Sequence, residues 1–138
     1  ALGTVYGPRQ RPDMAIHKFT KLLLDGRPIP MFGDGSTRRD YTYIDDIIQG
    51  VVHCVDTPFG YEIFNLGESH TTSLAELITF IEKHTGKTAV IERKPLQPGD
   101  VEITYADIAH ARELLGYAPR FSMDEGIARF VAWYKNQP

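Results

Sequence analysis

The residues of this chain best suited to chemistry are arginines placed at the edges of turns. Arg9 and Arg11 sit in Gly7-Pro8-Arg9-Gln10-Arg11-Pro12, a proline-bracketed loop just ahead of an apolar-periodic segment. Two guanidiniums beside the positive end of a helix make a sensible anion site, since the guanidinium fork pairs with carboxylate or phosphate oxygens. The plain alternative is a pair of solvated loop arginines. Arg38 and Arg39 follow the turn Gly33-Asp34-Gly35-Ser36-Thr37 and lead into Asp40-Tyr41-Thr42-Tyr43-Ile44-Asp45-Asp46. Successive side chains on a strand point to opposite faces, so at most one of the two arginines reaches any one pocket. Phe32, directly before the turn, offers a ring face for a flat base, or is an ordinary core phenylalanine. Gln97-Pro98-Gly99-Asp100 is a polar loop with a fixed backbone, which either turns a side chain into a pocket or simply connects two elements.

No catalytic machine accompanies these sites. His17, His53, His70, His84 and His110 are scattered without acid–base or metal-ligand spacing, so each reads as structural or exposed. There is no local Ser/His/Asp or Cys/His arrangement. There is no Gly-x-Gly-x-x-Gly loop either, and Gly33-Asp34-Gly35 reads as a hairpin turn. Asp45 and Asp46 are best explained as caps of the helix that follows them. Residue spacing alone therefore shows places to bind anions, no catalytic residue and no metal centre.

The elements that must position these groups alternate between strands and helices. Thr4-Val5-Tyr6 reads as the tail of a strand ended by Gly7-Pro8. A helix runs from Asp13, as N-cap, to about Asp25, with Ile16, Phe19, Leu22 and Leu23 on one stripe and Gly26 past its end. Pro28–Phe32 is a short strand placed at an edge by its prolines. A second strand covers Arg39–Ile44, and a helix follows to about Val55. Glu62–Leu66 is a compact strand. Ser73 with Glu76 has capping-box spacing ahead of a helix over Leu74–His84, closed by Gly86. Thr88–Arg93 is another strand and Ala106–Leu115 a short helix ended by Gly116. Ser122 with Glu125 opens a last helix through Phe130, Trp133 and Tyr134. This alternation makes an α/β or α+β domain.

Composition narrows the class further. At 138 residues, 42% hydrophobic and 24% charged, the chain has the make-up of one ordinary globular domain. A chain of this size buries roughly two-thirds of its unfolded surface and needs no staples. The single Cys54 excludes an internal disulfide and suggests a reducing, cytoplasmic setting. A net charge of −3 argues against general nucleic-acid binding. No apolar run approaches the roughly eighteen residues of a membrane span.

Four segments, in order, resemble the C-terminal, substrate-binding part of the extended short-chain dehydrogenases/reductases, the NAD-dependent nucleotide-sugar epimerases above all. They are Thr4–Met14, Met31–Gly35 through Arg39–Asp46, Asn65-Leu66-Gly67, and Gln97–Asp100 through Asp107. The first segment further resembles the UDP-glucuronate 4-epimerases. The resemblance implies that Arg11 approaches the sugar and its carboxylate, Phe32 lies against the uracil, and Arg39 holds the diphosphate. In the loop, Gln97 stands where the family usually has a phosphate-binding arginine, and Asp100 fits a ribose-side role. It also implies an α/β chain, 1–138, whose N-terminal Rossmann half is missing. The missing half would carry NAD, a Gly-x-x-Gly-x-x-Gly turn and a Tyr-x-x-x-Lys pair, none of which occurs here. Ala1-Leu2-Gly3 reads as the altered edge of that half.

Several expectations follow from the resemblance. The parent is an NAD-dependent sugar 4-epimerase of the UDP-glucuronate or UDP-glucose type, with a 4,6-dehydratase, decarboxylase or reductase of the same family, or a non-catalytic nucleotide-sugar-binding module, as alternatives. This chain alone is inactive and binds no cofactor. Residues 41–66 pack on the missing half, so Ile47, Ile48, Val51 and Val52 lose their partner and favour a homodimer or higher oligomer.

Overall fold

The computed structural model describes residues 4–96, 103–104 and 107–137. In chain order the elements are β1 (Thr4–Tyr6), α1 (Ala15–Leu24), β2 (Ile29–Phe32), β3 (Arg38–Arg39), β4 (Tyr41–Tyr43), α2 (Ile44–Asp56), β5 (Thr72–Ser73), α3 (Leu74–Thr85), β6 (Ile91–Lys94), β7 (Ile103–Thr104), α4 (Ala109–Leu115) and α5 (Met123–Lys135). The strands form small sheets in the orders β1-β4, β2-β6 and β5-β3-β7.

Helix signals in the sequence translate well. Ser73 Oγ accepts the Glu76 N–H at 3.1 Å, and Ser122 Oγ accepts the Glu125 N–H at 3.2 Å. Each such cap satisfies one of the orphan donors at a helix start. The Glu76 carboxylate goes to Arg38 instead of back to the cap, so the box is half formed. Gly26, Gly86 and Gly116 take φ of +71, +72 and +68 just past α1, α3 and α4, the left-handed turn that stops a helix.

Other local readings give way to longer-range bonds. Asp13 does not cap α1: Met14 occupies that position without a side-chain cap, because the Asp13 carboxylate is taken by Arg11. Nor do Asp45 or Asp46 cap α2, whose N-cap is Tyr43. Asp46 is buried and spends both oxygens on a distant segment, accepting Arg120 N–H at 2.7 Å and Phe121 N–H at 3.0 Å. Gly33-Asp34-Gly35 is no hairpin. β2 pairs in parallel with β6, Ile29 opposite Ile91 through Phe32 opposite Lys94. β3 instead pairs antiparallel with β5 and parallel with β7. Pro30 accordingly lies in a two-stranded sheet, where both strands are edges.

The single strand expected over Arg39–Ile44 is broken at the buried Asp40, where the chain leaves one sheet for another. The helix expected from Ala106 starts at Ala109, after Asp107 Oδ1 accepts the Ala109 N–H. Glu62–Leu66 forms no ladder beyond a single bridge at Leu66. A strand needs a neighbouring backbone, and its side chains are occupied elsewhere, Phe64 stacking on His110 and Glu62 bonding His110.

The main core joins α1, α3 and α5 to β1, β2 and β4 through residues such as Tyr6, Ile16, Phe19, Met31, Tyr43, Leu77, Ile81, Ile127 and Phe130. A smaller cluster of Ile47, Leu66, Ile108, Ala111, Leu115 and Tyr117 sits between α2 and α4. Gly50 allows that approach, since a Cβ there would lie 2.7 Å from both Leu66 methyls. Ile47 is therefore buried, against the expectation that it lacks a partner. Ile48, Val51 and Val52 on α2 are exposed as expected, and Val55, not singled out in the sequence, is exposed by 79%.

Candidate functional site

The geometry of β2, β3, β4 and the first turn of α3 opens one cleft. Its volume is about 230 Å³, and its walls are Ala15, Phe19, Pro30, Phe32, Thr37, Arg39, Tyr41, Leu74 and Leu96. Phe32 is the last residue of β2 and is half-buried. Arg39 reaches the same cleft from β3. Its neighbour Arg38 points away, as strand alternation requires, and is tied down at 2.8 Å to Thr71 Oγ1 and 2.9 Å to Thr71 O.

The turn between the two strands is stitched to α3. Gly35 O accepts the Ala75 N–H at 3.0 Å and Thr37 O accepts the Leu74 N–H at 2.9 Å. Gly35 stands at φ +83, and a Cβ there would meet Met31 Sδ at 2.8 Å, so both its backbone angle and its neighbours require glycine. Asp34 Oδ1 accepts the Ser36 N–H at 3.0 Å, closing the loop on itself. These bonds bring Leu74 into the cleft that Phe32 and Arg39 share.

Under the cleft floor, Asp40 fixes the strand that carries Arg39 and Tyr41. Its Oδ1 accepts the Thr42 hydroxyl at 2.7 Å, and its two oxygens accept the N–H groups of Glu68 and Ser69 at 3.0–3.1 Å. Burial pushes the Tyr41 phenol up, and the positive charge of Arg39 opposes that shift. Among the described lining residues, Arg39 carries the charge of a cleft walled by apolar and polar groups alike. Such a site suits a flat or apolar group along Phe32 with an anion on the guanidinium.

The other residues singled out in the sequence fall elsewhere. Arg11 is 77% exposed, outside the cleft, and forks onto Asp13 at 3.1 and 2.7 Å. That hydrogen bond holds the Asp13 carboxyl below its usual range. Gln97 and Asp100 lie outside the described residues. His17 is structural: Gln10 bonds both its backbone and its ring, and Phe130, Trp133 and Tyr134 surround it. Sequence reasoning missed Thr37, Tyr41, Leu74 and Leu96. Leu74 joins the site only through the β3–β5 pairing of Arg39 with Thr72, a register no local pattern announces. Among the described residues no His/Cys/Asp/Glu group could hold a metal ion, and no helix is long and apolar enough to cross a membrane.

This α/β unit of short mixed sheets matches the C-terminal part of Rossmann-type epimerases and dehydratases, the extended short-chain dehydrogenase/reductase class. The family described as GDP-mannose 4,6 dehydratase matches residues 2–130, and the chain belongs to that family of nucleotide-sugar epimerases and dehydratases. It is 44% identical over 133 residues to a UDP-glucuronate 4-epimerase of Thermodesulfobacterium geofontis, covering 96% of this chain and 41% of the relative. Its structure matches the UDP-glucuronic acid 4-epimerase of Bacillus cereus, solved with UDP-glucuronic acid and NAD, at a TM-score of 0.91 and 40% identity. That match covers 97% of this chain and 43% of the other. The dTDP-glucose 4,6-dehydratase of Bacillus anthracis shares the fold, with a TM-score of 0.89 at 24% identity over 99% of this chain and 44% of that one. The chain thus spans about two-fifths of the length of the curated relatives it matches.

Proposed function

We propose that this chain is the nucleotide-sugar grip of an NAD-dependent UDP-sugar 4-epimerase of the UDP-glucuronate type, working in the cytoplasm. The observation that carries the reading is the convergence of Phe32 and Arg39 on one cleft. A nucleoside diphosphate has a flat base and a doubly charged linker, and the cleft offers an aromatic edge with Leu74 for the one and a guanidinium for the other. The relatives named above support uracil as the base and a glucuronyl group as the sugar. In this reading Arg11 leaves Asp13 to pair with the sugar carboxylate, and Gln97 and Asp100 serve the phosphate and ribose sides.

The residues present do not fit an NAD site. The 138 residues contain neither a Gly-x-x-Gly-x-x-Gly turn nor a tyrosine followed four residues later by lysine. The chain's own part is to bind and orient the nucleotide, and it turns over nothing alone. The exposed face of Ile48, Val51, Val52 and Val55 serves as a docking surface, for the NAD-binding half in the full protein and for a second copy in its absence. Calorimetric titration of the chain with UDP, UDP-glucuronate and GDP tests the assignment of the nucleotide. The uridine nucleotides are expected to bind more tightly than GDP, and equal or stronger GDP binding would overturn it.

A further inference from the structure

Across Tyr41 from the cleft lies a second cavity of about 230 Å³, whose walls include Glu68, His70, Thr72, Glu76, Phe121 and Asp124. The nucleotide reading does not use it. Glu68 is its unusual member: Oε1 is sealed from solvent and has no hydrogen-bond partner. Half of the titratable groups around it are carboxylic acids. Asp40 lies behind its own backbone, Asp46 approaches from α2, Tyr6 from β1, and Tyr117 from the end of α4. From the cavity side it faces Tyr41, His70, Glu76 and Asp124, of which Glu76 is paired with Arg38 and Asp124 with Lys83 and His84.

Two of these acids have both oxygens engaged by backbone donors. Asp40 accepts the Glu68 and Ser69 N–H groups and Asp46 accepts those of Arg120 and Phe121. The sealed oxygen of Glu68 has no such donor, and a negative charge left there has nothing to stabilise it. The Glu68 carboxyl approaches Asp46, and two carboxyl groups hydrogen-bond only when one of them carries a proton. Asp46 already has two donors. The proton belongs to Glu68.

We propose that Glu68 is protonated at neutral pH and donates to Asp46, so that one proton latches the turn at 67–69 to α2 and is released to solvent as the pH rises. The latch closes on structure shared with the cleft, since Asp40 sits between Arg39 and Tyr41 and holds the same turn. Burial first, then the contact with Asp46 and the charge of Asp40, push the Glu68 carboxyl up to about 8 from an ordinary 4.5. Between those two values the folded chain holds a proton that the unfolded chain has lost. Stability from this group is therefore complete at low pH, falls through that window, and levels off above it.

The test compares the melting temperature of the chain with that of Glu68→Gln from about pH 5.5 to about pH 9, where the five histidines cancel in the difference. The amide of the variant donates to Asp46 at every pH, so the wild type is expected to lose melting temperature relative to the variant up to about pH 8 and then run parallel to it. Parallel curves throughout would overturn the latch. A carbon-13 NMR titration of the Glu68 carboxyl in the wild type gives the same answer without a variant: a midpoint near 8 supports it, and one near 4.5 overturns it.

Discussion

Replacing Gly126 by alanine reverses the usual sign of a glycine-to-alanine change inside a helix. In an exposed helix the substitution stabilises by about 1 kcal/mol, because alanine orders the backbone at lower entropic cost. Gly126 lies in the first half of α5 with the Tyr6 ring against it. A Cβ there would lie 2.7 Å from Tyr6 Cζ and 3.0 Å from Cε2, with the phenol oxygen closer still. Tyr6 is 1% exposed and wedged edge-on against Tyr43, so its ring has nowhere to retreat. Overpacking of that kind costs about 1–3 kcal/mol, and the crowding here belongs at the upper end. Subtracting the helix gain leaves a net loss of about 2 kcal/mol. For a domain of this size that lowers the melting temperature by about 6–10 °C. The assay is thermal and urea unfolding of wild type, Gly126→Ala, Tyr6→Phe and the double variant. Removing the phenol oxygen takes away the worst contact, so the double variant should lose about 1 kcal/mol less than the sum of the singles. A gain in stability for Gly126→Ala, or strict additivity in the cycle, refutes the packing argument.

Two further expectations follow from the same structure. The exposed apolar face of α2 predicts that the chain associates in solution, and that Val51→Lys with Val55→Lys shifts it toward monomer in light scattering. A wild type that stays monomeric at high concentration counts against a docking role for that face. Purified chain incubated with NAD and UDP-glucuronate should give no UDP-galacturonate by chromatography, and measurable turnover would show that catalytic groups lie within these residues.

Local chemistry made the helices readable and left the sheets hidden. The serine caps of α3 and α5 and the glycines after α1, α3 and α4 act within a few residues, so the sequence displays them directly. Pairings across the chain carry no such mark. β2 finds its partner about sixty residues away at β6, which is why the Gly33–Gly35 turn resembled a hairpin and is not one. The acids misled for a similar reason. Asp46 sits where a first-turn acid belongs, yet its oxygens hold Arg120 and Phe121, a use visible only once the chain has folded back. At the site, turn position and strand alternation left Phe32, Arg38 and Arg39 as candidates with at most one arginine reaching a pocket, and the family resemblance singled out Phe32 and Arg39 among them. Leu74 and Tyr41 were not legible, since only the β3–β5 register and the break at Asp40 bring them there.

The central claim is that Arg39 holds a diphosphate while Phe32 bears the base, and calorimetric titration of UDP against wild type and Arg39→Ala tests it most directly. A charge-assisted contact of this kind is worth about 1.5–3 kcal/mol, so the variant should bind UDP about 10- to 100-fold more weakly with its melting curve little changed. Equal UDP affinity in wild type and Arg39→Ala would contradict the account.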